Sequence, residues 1–180
     1  MDRNDTQPMQ EKESKVVFSV LTVNHPGVLL RVTGLFSRRG FNIDSIVACS
    51  TEKPEFSRWT LVVTGDEATF LQITRQLLKL EDVVKVEMLE PENCSNSELL
   101  LIKVKAAGMG RVSVLKAAQM YGSRVLDIGE TTVTIEMTGQ TEEMDDFIRH
   151  MEGFGIVEMA RTGITALARG DRTIHAELNM

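Results

Sequence analysis

The residues best suited to chemistry form a short loop, Asn24-His25-Pro26-Gly27, which precedes a stretch with the apolar spacing of a helix. Pro26 is typical of a first helical position, because its missing N–H would be unpaired there. Gly27 carries no side chain, so a ligand can approach the backbone. Amides at a helix start have no internal acceptor and favour negative charge. The loop therefore predicts a site for a small carboxylate.

An amino acid ligand would need donors for its carboxylate and acceptors for its ammonium group. The helix-start amides are such donors, and the side-chain oxygen of Asn24 and the loop carbonyls are such acceptors. The alternative is that Asn24 only caps the helix. The apolar residues that follow share one helical face, which predicts core packing and, for one or two of them, a pocket wall. They are Val28, Leu29, Val32, Leu35 and Phe36.

A second candidate stretch, Arg39-Gly40-Phe41-Asn42-Ile43, follows this helix. Gly40 is typical of a helix C-terminus. Asn42 comes just after this turn, where asparagine often serves local backbone bonds, and that is the alternative to a ligand contact. Arg31 and Arg38 form a basic patch with Arg39, which we interpret as a solvated face or as a contact for an acidic partner.

The other reactive residue types do not form a recognisable centre. No two histidines have helical i, i+4 spacing, and the acidic run that begins a later helix favours a solvated face. Two glycines near residue 109 lack the third glycine of a dinucleotide fingerprint. The two cysteines form no CxxC pair, so we expect free thiols in a reducing compartment and no metal site. These residues are His25, His150, His175, Glu142, Glu143, Asp145, Asp146, Gly108, Gly110, Cys49 and Cys94.

The elements that must position the loop occur in an order that repeats. Periodicity predicts strand, helix, strand, strand, helix, strand over residues 15–90, with the second strand at 41–50, and the same order over 98–160. We predict an α+β fold of two tandem ferredoxin-like βαββαβ units, each a four-stranded antiparallel sheet with two helices on one face. The other face then needs cover from the second unit, a second copy or another protein.

The remaining segments are predicted to be a disordered lead-in at 1–14, a polar linker at 91–97 and a C-terminal arm at 161–180. A net charge of -6 argues against a general nucleic-acid binder. No apolar run reaches the roughly 18 residues that span a bilayer. The first 14 residues do not resemble a secretory signal, so we expect a cytoplasmic protein.

Two other functions suit the same order of elements less well. An acylphosphatase-like hydrolase needs an arginine and an asparagine in a glycine-rich phosphate loop, and Arg31 and Asn42, the nearest candidates, do not match that pattern. An RNA-binding module reads bases with aromatic residues on its strands, whereas this chain has one Trp and one Tyr.

With these residues in view, the chain resembles the family of small, regulatory subunits of acetolactate synthase (acetohydroxyacid synthase), and its first unit resembles an ACT domain. The first unit carries the resemblance in Asn24-x-x-Gly27, Arg31-Val32-x-Gly34-Leu35-Phe36, Arg39-Gly40-Phe41-Asn42-Ile43 and Ser57-Arg58. The second unit carries it in Leu101-Ile102-Lys103-Val104, Ala160-Arg161-Thr162-Gly163 and Ala168-Arg169-Gly170. The resemblance covers roughly residues 15–170.

The resemblance implies a subunit without its own catalytic centre, acting in branched-chain amino acid biosynthesis. Such a subunit activates a thiamine-diphosphate-dependent catalytic large subunit and confers feedback inhibition by valine or a related amino acid. Thiamine diphosphate, Mg²⁺ and FAD are then expected on the catalytic partner, and none on this chain. A sensor that regulates a different enzyme or a transcription regulator is the alternative.

In the family that the chain resembles, the effector lies between two ACT domains of a homodimer. The loop of one copy contacts it, and the position matching Asn42 reaches it across the interface. The predicted effector-binding residues are Asn24, His25, Pro26, Gly27, Val28, Leu29, Asn42 and Ile43. The second unit has no match to Asn24-x-x-Gly27, so we expect an effector site in the first unit alone.

Overall fold

Nine strands and four helices make up the part of the chain that the computed structural model describes, residues 14–90 and 93–175. The first unit contains β1 (Ser14–Val23), α1 (Val28–Arg39), β2 (Ser45–Ser50), β3 (Phe56–Gly65), α2 (Glu67–Leu77) and β4 (Val83–Leu89). The second contains β5 (Cys94–Lys105), α3 (Gly110–Met120), β6 (Arg124–Ile128), β7 (Thr132–Gly139), α4 (Thr141–Glu152), β8 (Ile156–Arg161) and β9 (Thr165–Ala168). Residues 1–13 of the predicted lead-in, 91–92 of the predicted linker and 176–180 of the predicted arm lie outside the described residues.

The first unit is a four-stranded antiparallel sheet in the order β2-β3-β1-β4. Strand β1 lies in the centre and pairs with β3 along its whole length. Both helices cover one face of the sheet, because alternate residues of the central strands are large and apolar and match the apolar faces of the helices. This core includes Phe18, Val20, Trp59, Leu61 and Val63 from the sheet and Val32, Phe36, Phe70, Ile73 and Leu77 from the helices.

The second unit repeats this arrangement with strands in the order β6-β7-β5-β8, and β9 adds a fifth strand that pairs with β5. Its core is again the layer between sheet and helices, with Ile102, Ile135, Met144 and Phe147 fully buried. The predicted fold of two tandem ferredoxin-like units is therefore confirmed, and β9 is an addition to it. No helix in the described ranges is long and apolar enough to cross a membrane.

The face of the first sheet that carries no helix is covered by the end of the chain. Ala166 of β9 and Cys94 of β5 pack with Val17, Val62 and Leu89 in one buried cluster. In a second cluster Ile174 packs with Leu21 and Phe56. The sequence left open whether the second unit, a second copy or another protein covers this face. Within the described residues the cover is the second unit and the segment that follows it.

A hydrogen bond between the two units accompanies the apolar contacts of these two clusters. The Nη2 group of Arg58, on β3, donates to the carbonyl oxygen of Ala166 at 3.1 Å. Burial of Arg58 lowers the pKa of its guanidinium from its usual value. The two units therefore share both an apolar layer and a polar contact.

Three local expectations differ from the structure. Helix α1 begins at Val28, so the expectation that Pro26 occupies its first position is wrong, and Pro26 lies in the turn before it. Strand β2 begins at Ser45, so residues 41–44 form a loop and not the start of a strand. Residues 94–97, which the sequence placed in a linker, belong to β5 and pair with β9.

Candidate functional site

The loop between β1 and α1 is held at its first residue by the turn that joins β2 to β3. The backbone N–H of Asn24 donates to Glu55 O at 2.8 Å. Its side-chain Nδ2 donates to Pro54 O at 2.9 Å. Helix α1 has no side-chain cap, so the alternative that Asn24 only caps the helix is wrong. Asn24 instead fixes the loop against a neighbouring turn.

Gly27 is the residue that turns the chain into α1. Its φ of 92° lies in the left-handed region, which favours glycine over any residue with a β-carbon. Its carbonyl accepts the first bond of the helix, from the Arg31 N–H at 3.1 Å. The amides of residues 28–30 precede that bond, and none of them has an acceptor in the described part of the chain. These three amides are the donors that the sequence predicted.

The first helical side chains divide between core and solvent. Val28 is only 3% exposed and belongs to the core of the first unit. Leu29 is 53% exposed and Leu30 is 76% exposed, so both present apolar surface next to the free amides. Of the two predicted effector residues here, Val28 is therefore available through its backbone and Leu29 through its side chain as well.

A buried carboxylate, Asp82, connects the loop to the helix. Asp82 is 7% exposed and precedes β4. Its Oδ2 accepts from Arg31 Nε, and its Oδ1 accepts from Arg31 Nη2 at 3.0 Å. Its Oδ1 also lies 2.8 Å from His25 Nε2, and His25 Nδ1 lies 3.1 Å from Pro26 O. One carboxylate thus contacts a side chain of the loop and a side chain of α1.

The hydrogen bond from Arg31 holds the pKa of Asp82 below its usual value. Neither Asp82 nor its pairing with Arg31 was predicted, since Arg31 was assigned to a solvated face or an acidic partner. The topology contains a usable signal, because β4 pairs with β1 and Thr22 lies opposite Val83. The residue just before Val83 must therefore lie beside the end of β1, where the loop starts.

The predicted residues Asn42 and Ile43 lie at the other end of α1. Asn42 Nδ2 donates to the side-chain Oδ1 of Asp44 at 2.9 Å. This bond is local, but it joins two side chains, whereas the sequence left open a local bond to the backbone. Ile43 is half-buried against the core. A helix of 12 residues is about 18 Å long, so the structure does not bring Asn42 to the loop at Asn24 within one chain.

The remaining candidate residues have separate surroundings. His150 lies against the rings of Tyr121 and Phe154, and His175 Nε2 contacts Glu52 Oε1 at 3.2 Å. Within residues 14–90 and 93–175, no group of three or more His, Cys, Asp or Glu side chains is placed to hold a metal ion. Neither Cys49, which is exposed, nor Cys94, which is buried, forms a disulfide.

Comparison with protein families matches both units of the chain. Residues 18–85 match the model described as the AHAS small subunit-like ACT domain. Residues 97–170 match the model described as the small subunit of acetolactate synthase. The first match includes the loop at Gly27 together with α1 and Asp82, and the second includes β9.

Whole-chain comparisons agree with these matches. The acetolactate synthase small subunit of Mycolicibacterium smegmatis is 42% identical over 88% of this chain and 93% of its own. The isozyme 3 small subunit of Salmonella typhimurium is 38% identical over 87% of this chain and 96% of its own. The crystal structure of the small subunit from Thermotoga maritima superposes with a TM-score of 0.83 at 35% identity, covering 88% of this chain and 99% of that one. The chain belongs to the family of acetolactate synthase small subunits, and its first unit is the ACT domain of that family.

Proposed function

We propose that this chain is the regulatory subunit of an acetolactate synthase, which binds the catalytic large subunit, raises its activity and confers feedback inhibition by valine or a related amino acid. Family membership across both units supports the association with the synthase. The observation that carries the sensing role is the set of three amides after Gly27 without acceptors in the described chain. The proposal leaves catalysis, with thiamine diphosphate, Mg²⁺ and FAD, to the large subunit.

The effector in this proposal binds through its carboxylate to the amides of residues 28–30. The start of α1 favours an anion by its dipole as well as by its free donors. The loop carbonyls and the side-chain oxygen of Asn24 are the acceptors proposed for the ammonium group. The exposed side chains of Leu29 and Leu30 offer apolar surface for a branched side chain.

A second copy of the chain completes the proposed site. Asn42 is about a helix length from the loop in its own chain, so it contacts the same effector only from another copy. Strand β2 lies at an edge of the first sheet, beside the loop that contains Asn42. We therefore propose a homodimer through the ACT domains, with the loop of one copy facing residues 42–43 of its partner.

The second unit is linked to the loop by a chain of contacts. Asn24 donates to Pro54 in the turn between β2 and β3, and Glu52 of the same turn contacts His175. The segment that ends at His175 begins with β9, which pairs with β5 of the second unit. Regulation requires an effector that binds two states of the complex unequally. We propose that these contacts are the element whose two arrangements the effector distinguishes.

The decisive experiment is copurification with the large subunit from the same organism, followed by an acetolactate synthase assay with and without valine, leucine and isoleucine. We expect the complex to be more active than the large subunit alone and to be inhibited by at least one of the three. A chain that forms no complex, or leaves activity unchanged in every condition, contradicts the proposal.

A further inference from the structure

The guanidinium of Arg31 is held by Asp82 along one edge only. Its Nε and Nη2 groups donate to the two oxygens of Asp82. This two-bond arrangement fixes the plane of the guanidinium, because both groups are planar and the bonds are parallel. The third nitrogen, Nη1, has no acceptor within the described residues.

That third nitrogen lies beside the residue that begins the proposed site. A β-carbon added to Gly27 would stand 3.8 Å from Arg31 Nη1. The side chain of Arg31 is 49% exposed, so a ligand from solvent can reach it. Two kinds of donor therefore adjoin Gly27, the amides of residues 28–30 and a fixed, charged N–H group.

We propose that Arg31 binds the carboxylate of the effector through Nη1, and that Asp82 is the positioning residue that turns Nη1 toward Gly27. This inference rests on the proposed function and adds to it a charged side chain that the loop pattern did not include. The main-chain amides fix the position of the carboxylate, and Arg31 adds a charge-assisted bond, which is stronger than a neutral one. Without Asp82 the flexible arginine side chain has no fixed direction.

A purely structural role for the Arg31–Asp82 pair is the competing explanation, because the pair also connects α1 to the segment before β4. A ligand without a carboxylate charge distinguishes this structural explanation from a role in effector binding. Valinamide keeps the ammonium group and side chain of valine but has no carboxylate charge. Loss of a carboxylate contact weakens valine and spares valinamide, whereas loss of loop structure weakens both.

The experiment is calorimetric titration of the full chain with valine and with valinamide. The test variant is Arg31→Gln with Asp82→Asn, which keeps two polar side chains and removes both charges. The matched control is Glu98→Gln with Arg161→Gln, since Glu98 and Arg161 form the same kind of bidentate pair in the second unit. Thermal unfolding of each variant reports whether it is folded.

We expect the test variant to bind valine at least about tenfold more weakly, the loss typical of one charge-assisted bond, with valinamide binding and the control pair unchanged. Equal weakening of valine and valinamide, or unchanged valine binding, overturns the role of Arg31 and leaves the proposed function standing. A wild-type chain that binds no branched-chain amino acid overturns both. If the test variant does not fold, Arg31→Lys tests the fixed N–H group instead of the charge. Lysine keeps the charge but cannot contact Asp82 and the effector through two edges of one planar group, so we again expect weaker valine binding with valinamide binding unchanged.

Discussion

The two units of this chain share a topology but begin their first helices differently. In the first unit the amides of residues 28–30 precede the first helical bond and have no acceptor in the described chain. In the second unit the amides of Gly110 and Arg111 already donate to the carbonyls of Ala107 and Gly108, at 3.1 and 3.3 Å. The start of α3 therefore has fewer free donors for a ligand than the start of α1.

The loops before these helices also differ in how they are closed. Arg111 Nη2 donates to Gly129 O at 2.8 Å and to Glu130 O at 2.6 Å, so an arginine fills the space between the second loop and its neighbouring turn. In the first unit Asn24 makes the equivalent contact with one short side chain, to Pro54 O. The side chain of Asn24 is shorter than that of Arg111, and the neighbouring side chain of Arg31 is 49% exposed.

The buried carboxylates show the same division. Asp82 lies at the loop of the first unit, whereas Glu98 lies on β5 of the second unit. Glu98 accepts from Thr141, at the start of α4, and from Arg161. The hydrogen bond to Glu98 raises the pKa of Arg161. The comparison teaches that the βαββαβ fold supplies only the scaffold, because two units of the same topology differ in the side chains around the start of their first helix.

The largest expected effect comes from breaking the pair of the second unit. Arg161→Ala leaves Glu98, which is 5% exposed, as an unpaired buried charge, and we expect a loss of about 3–5 kcal/mol in the free energy of unfolding. Urea unfolding measures it. Effector binding by the folded variant should equal that of the wild type, and a loss of binding would contradict the division between the units.

The apolar contact between the first sheet and the end of the chain offers the next test. Ile174 is 1% exposed and packs against Leu21 and Phe56, so Ile174→Ala should cost about 2–4 kcal/mol. The control is Leu167→Ala in β9, where the side chain is 56% exposed and the expected cost is below about 0.5 kcal/mol. Equal costs for the two variants would show that the end of the chain does not cover the first sheet in solution.

Gly27→Asp tests the loop itself. It brings a carboxylate to within reach of Arg31 Nη1 and the α1 amides, so it competes with the effector for the same donors. We expect at least about a hundredfold loss of valine affinity, near 2.7 kcal/mol, with activation of the large subunit retained. Gly27→Asn is the control, because asparagine tolerates the left-handed backbone and carries no charge. A variant that keeps full feedback inhibition would refute the site.

The smallest effect is a pH dependence of stability in the first unit. The pKa of Asp82 is lower in the folded chain than in the unfolded one, so its contribution to stability is complete above the unfolded pKa of about 3.9. That contribution is lost as the pH falls through the folded pKa. The stability difference between the wild type and Asp82→Asn should therefore shrink below about pH 4. A difference that stays constant down to pH 2 would contradict the pairing with Arg31.

Local patterns predicted most of the fold, and contacts between distant segments account for what they missed. The spacing of apolar residues gave both units, and Gly40 ends α1 with a φ of 70° as expected. Strand β9 is only four residues long, and its partner residues 94–97 are mostly polar, so neither segment has a strand pattern of its own. Asp82 and Arg31 are 51 residues apart in the sequence, so no local sequence pattern could predict their contact.

The loop was predicted from its residue types, but the exact start of α1 depends on the conflicting preferences of Pro26 and Gly27. Pro26 favours a first helical position, but Gly27 has a left-handed conformation and the helix starts at Val28, two residues after Pro26. The amides at the start of α1 stay free when no side chain caps the helix, so local residue types were enough to predict them. The position of the Arg31 charge beside them depends on the distant residue Asp82, so it could not be predicted in this way.

The central claim is that the amides after Gly27 bind the carboxylate of a branched-chain amino acid in the first unit. Calorimetric titration of valine into the wild-type chain and into Gly27→Asp tests it most directly. The account predicts saturable heat for the wild type and none for the variant at the same concentrations. Absence of saturable heat with valine, leucine and isoleucine in the folded wild-type chain, or equal binding by the variant, would contradict it.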